Sequence, residues 1–156
     1  MNPLPALFSF DVILPEVKTP NVKKLFDVIS ESLVDMTGLA CPDIMLRLKA
    51  RLTEDAIHLT PGCALLDIRS PHILKPVVLL ARIPRGVNVG QTAPCDVDLV
   101  CVIVLPEQTG AFALQSLSRW ARLLQHADFL NDIRRAADAD DIHILMSNPR
   151  TRLLAA

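Results

Sequence analysis

The chain has 156 residues, of which 51% are hydrophobic and 21% charged, enough for one domain with its own core and too apolar for a disordered segment. Sixteen basic against 17 acidic side chains give a net charge of −1, so no basic excess exists to hold a phosphate backbone and nucleic acid is not an expected partner. The longest apolar runs, Val77–Ala81 and Leu99–Leu105, fall far short of the roughly 20 residues of a membrane span, which argues against membrane insertion.

Met1–Pro5 has neither a basic nor a long apolar stretch, so no signal peptide is expected. Phe8–Leu14 reads as a short strand or an irregular lead-in. Thr19-Pro20-Asn21 is a helix start with Thr19 or Asn21 as cap, and Leu25, Phe26, Ile29, Leu33 and Met36 recur at threes and fours up to Gly38. Pro42 opens a second helix with Ile44, Met45, Leu48 and Leu52 on one side. Ile57–Leu59 is a short strand, Pro61-Gly62 a turn, and Cys63–Ile68 an apolar run broken at Ser70-Pro71. Val77–Ile83 and Val97–Leu105 are continuous β-branched runs that suit buried strands, with Gly86–Gly90 between them as an edge strand with turns.

Gly110–Leu124 is helical, with Leu114, Leu117, Ala121 and Leu124 as its stripe and Trp120 beside it. Phe129–Ala136 continues as another helix, and Asp140 or Asp141 caps a short Ile142–Met146 helix that Asn148-Pro149 ends. Thr151–Ala156 reads as a frayed tail. The division is a lead-in over 1–20, one domain over 21–148 and a tail over 149–156. Helices before and after a run of strands predict an α/β fold, a mixed central sheet with helices on both faces.

Little chemistry is legible from residue types alone. Cys41, Cys63, Cys95 and Cys101 form no C-x-x-C pair and read as reduced thiols among apolar neighbours, which suits the cytoplasm. The four histidines, His58, His72, His126 and His143, lie at no metal-ligand spacing, and Asp138–Asp141 lacks the glycine and glutamate of a calcium loop. With no phosphate-binding glycine loop and no nucleophile elbow, neither cofactor nor metal is expected.

Several stretches nevertheless resemble one family. Lys23–Glu31, Pro76–Ile83, Asp96–Glu107, Leu114–Leu124 and Ile133–Ile142 are similar to the first helix, two strands, a helix and the tail of the EIIA domain of the bacterial phosphotransferase system, fructose and nitrogen-regulatory type. Asp98–Leu124 is the most specific part, and Arg51 matches the arginine of an R-E pair. The resemblance implies the EIIA sandwich fold and a histidine that takes a phosphoryl group from an HPr-like carrier, helped by a second histidine.

Aligned without gaps, with Gly62, Ala64, Arg69, Pro71, Lys75 and Pro76 in register, the acceptor histidine falls on Asp67 and the second histidine on Ala113. The small G-S-T-G-I-G run becomes Asp55, Ala56, Ile57, His58, Leu59 and Thr60. Imidazole nitrogen is the nucleophile in such transfer, and an ionised aspartate does not replace it. The resemblance thus implies a degenerate, regulatory protein-binding module rather than an enzyme. Its partner surface is Asp67, Arg69, His72 and Ala113, with Arg69 as the cation beside Asp67. Transporters, sensor kinases and HPr-like carriers are the partner classes. The alternatives are a working phosphocarrier on His72, whose Ser70-Pro71-His72 mimics the family's I-P-H, or on His58, and an oligomerising domain such as a homodimer.

Overall fold

The computed structural model describes residues 8–53, 57–90, 95–108 and 110–156, with the backbone alone for 53 and 57–60. In chain order these are strand β1 (Val12–Leu14), helices α1 (Val22–Thr37) and α2 (Cys41–Thr53), strands β2 (Ile57–Thr60), β3 (Cys63–Ser70), β4 (Val77–Asn88) and β5 (Asp96–Pro106), and helices α3 (Ala111–Leu123), α4 (Ala127–Arg135), α5 (Ala139–Ser147) and α6 (Pro149–Ala155).

The strands form one mixed sheet in the order β1-β4-β5-β3-β2. β5 runs antiparallel to β4 and parallel to β3, β1 lies parallel to β4, and β2 turns back antiparallel on β3. Leu99–Leu105 of β5 are all buried, because helices cover both faces of the sheet and no position is left for a polar side chain. On one face Leu25, Ile29, Leu33, Ile44 and Leu48 of α1 and α2 pack on Leu66, Ile68, Leu79, Val100 and Val102. On the other, Trp120, Leu123, Phe129, Ile133, Ile142 and Met146 of α3–α5 pack on Leu65, Val78, Leu80, Cys101 and Ile103. This is the expected mixed sheet with helices on both faces.

Local chemistry explains the element ends. The Asn21 side chain accepts from Lys24 N–H to start α1, and Gly38 at φ +70° ends it. In the lead-in, Phe8 and Phe10 rest on Trp120 with ring centroids 4.4 and 4.7 Å away, so this segment contributes to the α3–α6 core. The Asp11 carboxylate accepts from Val78 N–H at 2.8 Å, and burial raises its pKa above the ordinary carboxylate value against that bond.

Four sequence expectations are corrected. Gly86–Gly90 is not a separate edge strand: β4 bends where its register shifts between Arg82 and Val87, and Val87 and Asn88 pair with Val97 and Asp96 of β5. On α3, Leu117, Trp120, Ala121 and Leu124 pack in the core as expected, but Leu114 is exposed and Ala113 and Leu123 are buried instead. The cap of α5 is Asp138, whose carboxylate accepts from Asp141 N–H, while Asp141 in turn accepts from Ala137 N–H. Residues 149–155 form α6 rather than a frayed tail. Asn148 caps it, Pro149 fills its first turn, and Thr151 and Ala155 are buried.

Candidate functional site

The site lies along β3. Among the described residues, β2 pairs with β3 from Thr60 opposite Cys63 to Ile57 opposite Leu65, two positions before Asp67. Along β3, Ala64, Leu66 and Ile68 face the α1–α2 layer and Cys63 and Leu65 face the α3 layer. Side chains alternate along a strand, so Asp67 and Arg69 point to the α3 side. Leu66 and Ile68 anchor the strand in the core from behind.

Arg51, in the last turn of α2, reaches this strand, and its Nη2 lies 3.0 Å from Asp67 Oδ1. The side chains are 30% and 15% exposed, so the charge-assisted bond is only partly screened by water. Arg69 is two residues further along the same face, and Ala113 is buried in the first turn of α3. Gly110 caps α3 without a side-chain bond, and its first turn carries no acid.

The cation on Asp67 is therefore Arg51, where the sequence reading places Arg69. The signal for it is its place at the head of the resembling motif, 16 positions before Asp67. Of the expected partner surface, Asp67 and Arg69 share one face. Ala113 is 4% exposed and packs in the core beneath α3–α6. His72 is not at this site. Buried Ser70 donates to Thr37 O at 2.7 Å and accepts from His72 N–H, which ties the end of β3 to α1. The His72 side chain consequently lies over Gly38, where an added Cβ would come within 2.8 Å of His72 Cβ. That puts His72 at the end of the α1–α2 layer, and its side chain is exposed. His58 lies on β2 opposite Ala64. Its side chain falls outside the described atoms, and Asp55 and Ala56 lie outside the described residues.

Two motif residues prove to be braces. Arg82 donates from Nε to Pro15 O, and from Nη1 to Ile133 O and Ala136 O at the end of α4. Arg134 forks onto Asp98 at 2.8 and 3.0 Å and closes over Gly62, where a Cβ would meet its Nη2 at 2.8 Å. Beneath this pair burial pushes the Cys63 thiol up to about 12, with Arg134 pulling it down and Asp98 pushing it up, and it raises Cys101 as well. Both thiols are protonated and unreactive at neutral pH. A cavity of about 600 Å³ between Phe8, Val78, Phe112 and Trp120 does not include Asp67. Among the described residues no cluster of three or more His, Cys, Asp or Glu comes together as a metal site. No helix there is long and apolar enough to cross a membrane.

Residues 6–148 match the family described as the phosphoenolpyruvate-dependent sugar phosphotransferase system, EIIA 2. The chain belongs to this EIIA 2 family. It is 28% identical over 150 residues to the nitrogen regulatory protein of Bradyrhizobium diazoefficiens, covering 94% of this chain and 96% of that one. In structure it is similar to the nitrogen regulatory protein IIA-Ntr of Neisseria meningitidis, with a TM-score of 0.76, 18% identity, and coverage of 86% and 92%. The IIA mannitol protein of Escherichia coli gives 0.64 and 17%, covering 86% and 94%. At these identities the two structures share the EIIA fold with this chain, in which Arg51 of α2 meets Asp67 of β3.

Proposed function

We propose that this EIIA 2 domain is a regulatory protein-binding module of the nitrogen-regulatory type, with no phosphorylatable histidine at the acceptor position. The observation that carries the reading is the Arg51–Asp67 bond, 3.0 Å long, at the position that the family resemblance assigns to the acceptor. A carboxylate held by a guanidinium is a weak nucleophile. An acyl phosphate there would need donors around the phosphoryl oxygens, and Arg51 already commits one to Asp67 itself.

The partner is a protein met in the cytoplasm: an HPr-like carrier, a transporter or a sensor kinase. The fixed charges of Asp67 and Arg69 at the rim of this site give it a patterned surface. Charge pairs at such a rim select partners by complementarity. The test is to titrate an HPr-like carrier and the cytosolic parts of a transporter and a sensor kinase against the wild type and Asp67→Arg. At least one should bind the variant about tenfold more weakly, a loss of about 1.4 kcal/mol. Unchanged affinity throughout would mean that this rim is not the partner surface.

A further inference from the structure

We infer that the cavity of about 600 Å³ between β4 and α3 binds a free aromatic α-amino acid, with its ammonium group on Asp11, its carboxylate on Lys75 and its ring against Phe112. The cavity lies over the β1–β4 side of the sheet, and β5 separates β4 from the β3 strand that carries Asp67. The site is therefore distinct from the proposed partner surface and stands or falls without it.

Phe112, Ser116 and Trp120 follow one another at four-residue steps and line the cavity from one face of α3. Trp120, 1% exposed and stacked on Phe8 with ring centroids 4.4 Å apart, closes the floor. Phe112 is 56% exposed, so an aromatic wall stands uncovered at the mouth. The volume falls within the roughly 300–1,000 Å³ of small-ligand sites. Asp11 is fixed to β4 twice: its N–H donates to Val78 O and its Oδ2 accepts from Val78 N–H, both at 2.8 Å. Its Oδ1 has no hydrogen-bond partner among the described residues. The apolar surroundings raise the Asp11 pKa against the Val78 bond, and a cation seated on Oδ1 would offset that. Lys75 lines the same cavity, and among the described residues no ion pair joins it to Asp11. An acid and a base thus stand apart over one aromatic floor. A simple cation would face Lys75, a simple anion would face Asp11, and a peptide terminus carries only one of the two charges. A ligand with both charges on one carbon and an aromatic body satisfies the acid, the base and the floor together.

Trp120 is the only tryptophan in the chain, so its fluorescence reports on the cavity directly. The probe is L-phenylalanine, titrated into the full chain at neutral pH with L-alanine as control. A saturable change with a Kd of about 1 mM or tighter is expected. Phenethylamine, which lacks the carboxylate, and hydrocinnamate, which lacks the ammonium, should each bind at least about threefold more weakly, and L-alanine should leave Trp120 unchanged. Asp11→Asn keeps an acceptor for Val78 N–H and should weaken phenylalanine binding about tenfold. Lys75→Gln, at an exposed position, should weaken it at least about threefold. The analogue series needs no variant, so it tests the inference even where Asp11→Asn fails to fold. No saturable change up to about 10 mM, equal binding by either singly charged analogue, or an unaltered Kd in either variant overturns it. So does a Trp120 change that follows protein concentration without ligand, which would mean that a second copy covers the cavity.

Discussion

Asp67 is set apart by where it stands. On β3 its neighbours Leu66 and Ile68 are 2% and 3% exposed, so the backbone at this point has no freedom to turn the carboxylate elsewhere. The strand aims it, and Arg51 meets it from α2. His72 is equally constrained to stay away, because Ser70 pins the end of β3 to Thr37 and the imidazole lies over Gly38. Gly38→Ala should therefore be costly twice over. It forces a side chain into φ +70° and brings a Cβ within 2.8 Å of His72. A loss of about 1–3 kcal/mol in denaturant unfolding is expected, and His72→Gly in the same chain, which removes the contacting Cβ, should restore part of it. At this scale residue types and register show which residues matter but not which of them meet. Asp67 is legible by register, whereas the Arg51 contact joins α2 to β3 across 16 positions, which no local pattern encodes.

Helix ends carry much of what local sequence can say. Asn21 and Gly38 bracket α1 as their residue types predict. Asp138 shows the limit, since three acids stand in a row of four and each could cap. The bond from Asp141 N–H to its carboxylate selects Asp138, so Asp138→Ala should cost about 1 kcal/mol in thermal unfolding while Asp140→Ala is nearly neutral. Equal effects of the two would mean that the cap contributes nothing. The α6 helix escapes a reading of residue types because Asn148-Pro149 suits a stop for α5 and equally a cap and first turn for a new helix. Only burial of Thr151 and Ala155 decides between the two, and a seven-residue helix has too little periodicity to show it. The Gly86–Gly90 stretch misleads in the opposite direction. Its glycines read as turns, yet Gly86, at φ +75°, falls where the register of β4 slips and the strand then resumes its pairing.

Across the whole molecule, the family's motif residues divide by the work they do. Arg82 joins the lead-in to the end of α4, and Arg134 with Asp98 closes the Gly62 turn under α4. These braces hold the fold and survive intact, as do the continuous β-branched strands. In the proposed function, loss is concentrated at the acceptor position, where the ungapped alignment sets Asp67 and Ala113 in place of two histidines. That is the pattern expected of a domain whose architecture has outlived its transfer chemistry. Fold and family are legible because strands buried on both faces leave long apolar runs and because the bracing residues recur at fixed spacing. The role of the site is less legible, because it rests on contacts between α2 and β3 that are far apart in sequence.

If Asp67 has closed the acceptor position, this EIIA 2 domain no longer takes a phosphoryl group. Intact mass after incubation with a phosphorylated HPr-like carrier tests this most directly, with a histidine-bearing EIIA 2 domain labelled in the same tube. No gain of about 80 Da on the wild type is the predicted result. A gain of that size, abolished by His72→Ala or by His58→Ala, would contradict the account and make the protein a working phosphocarrier.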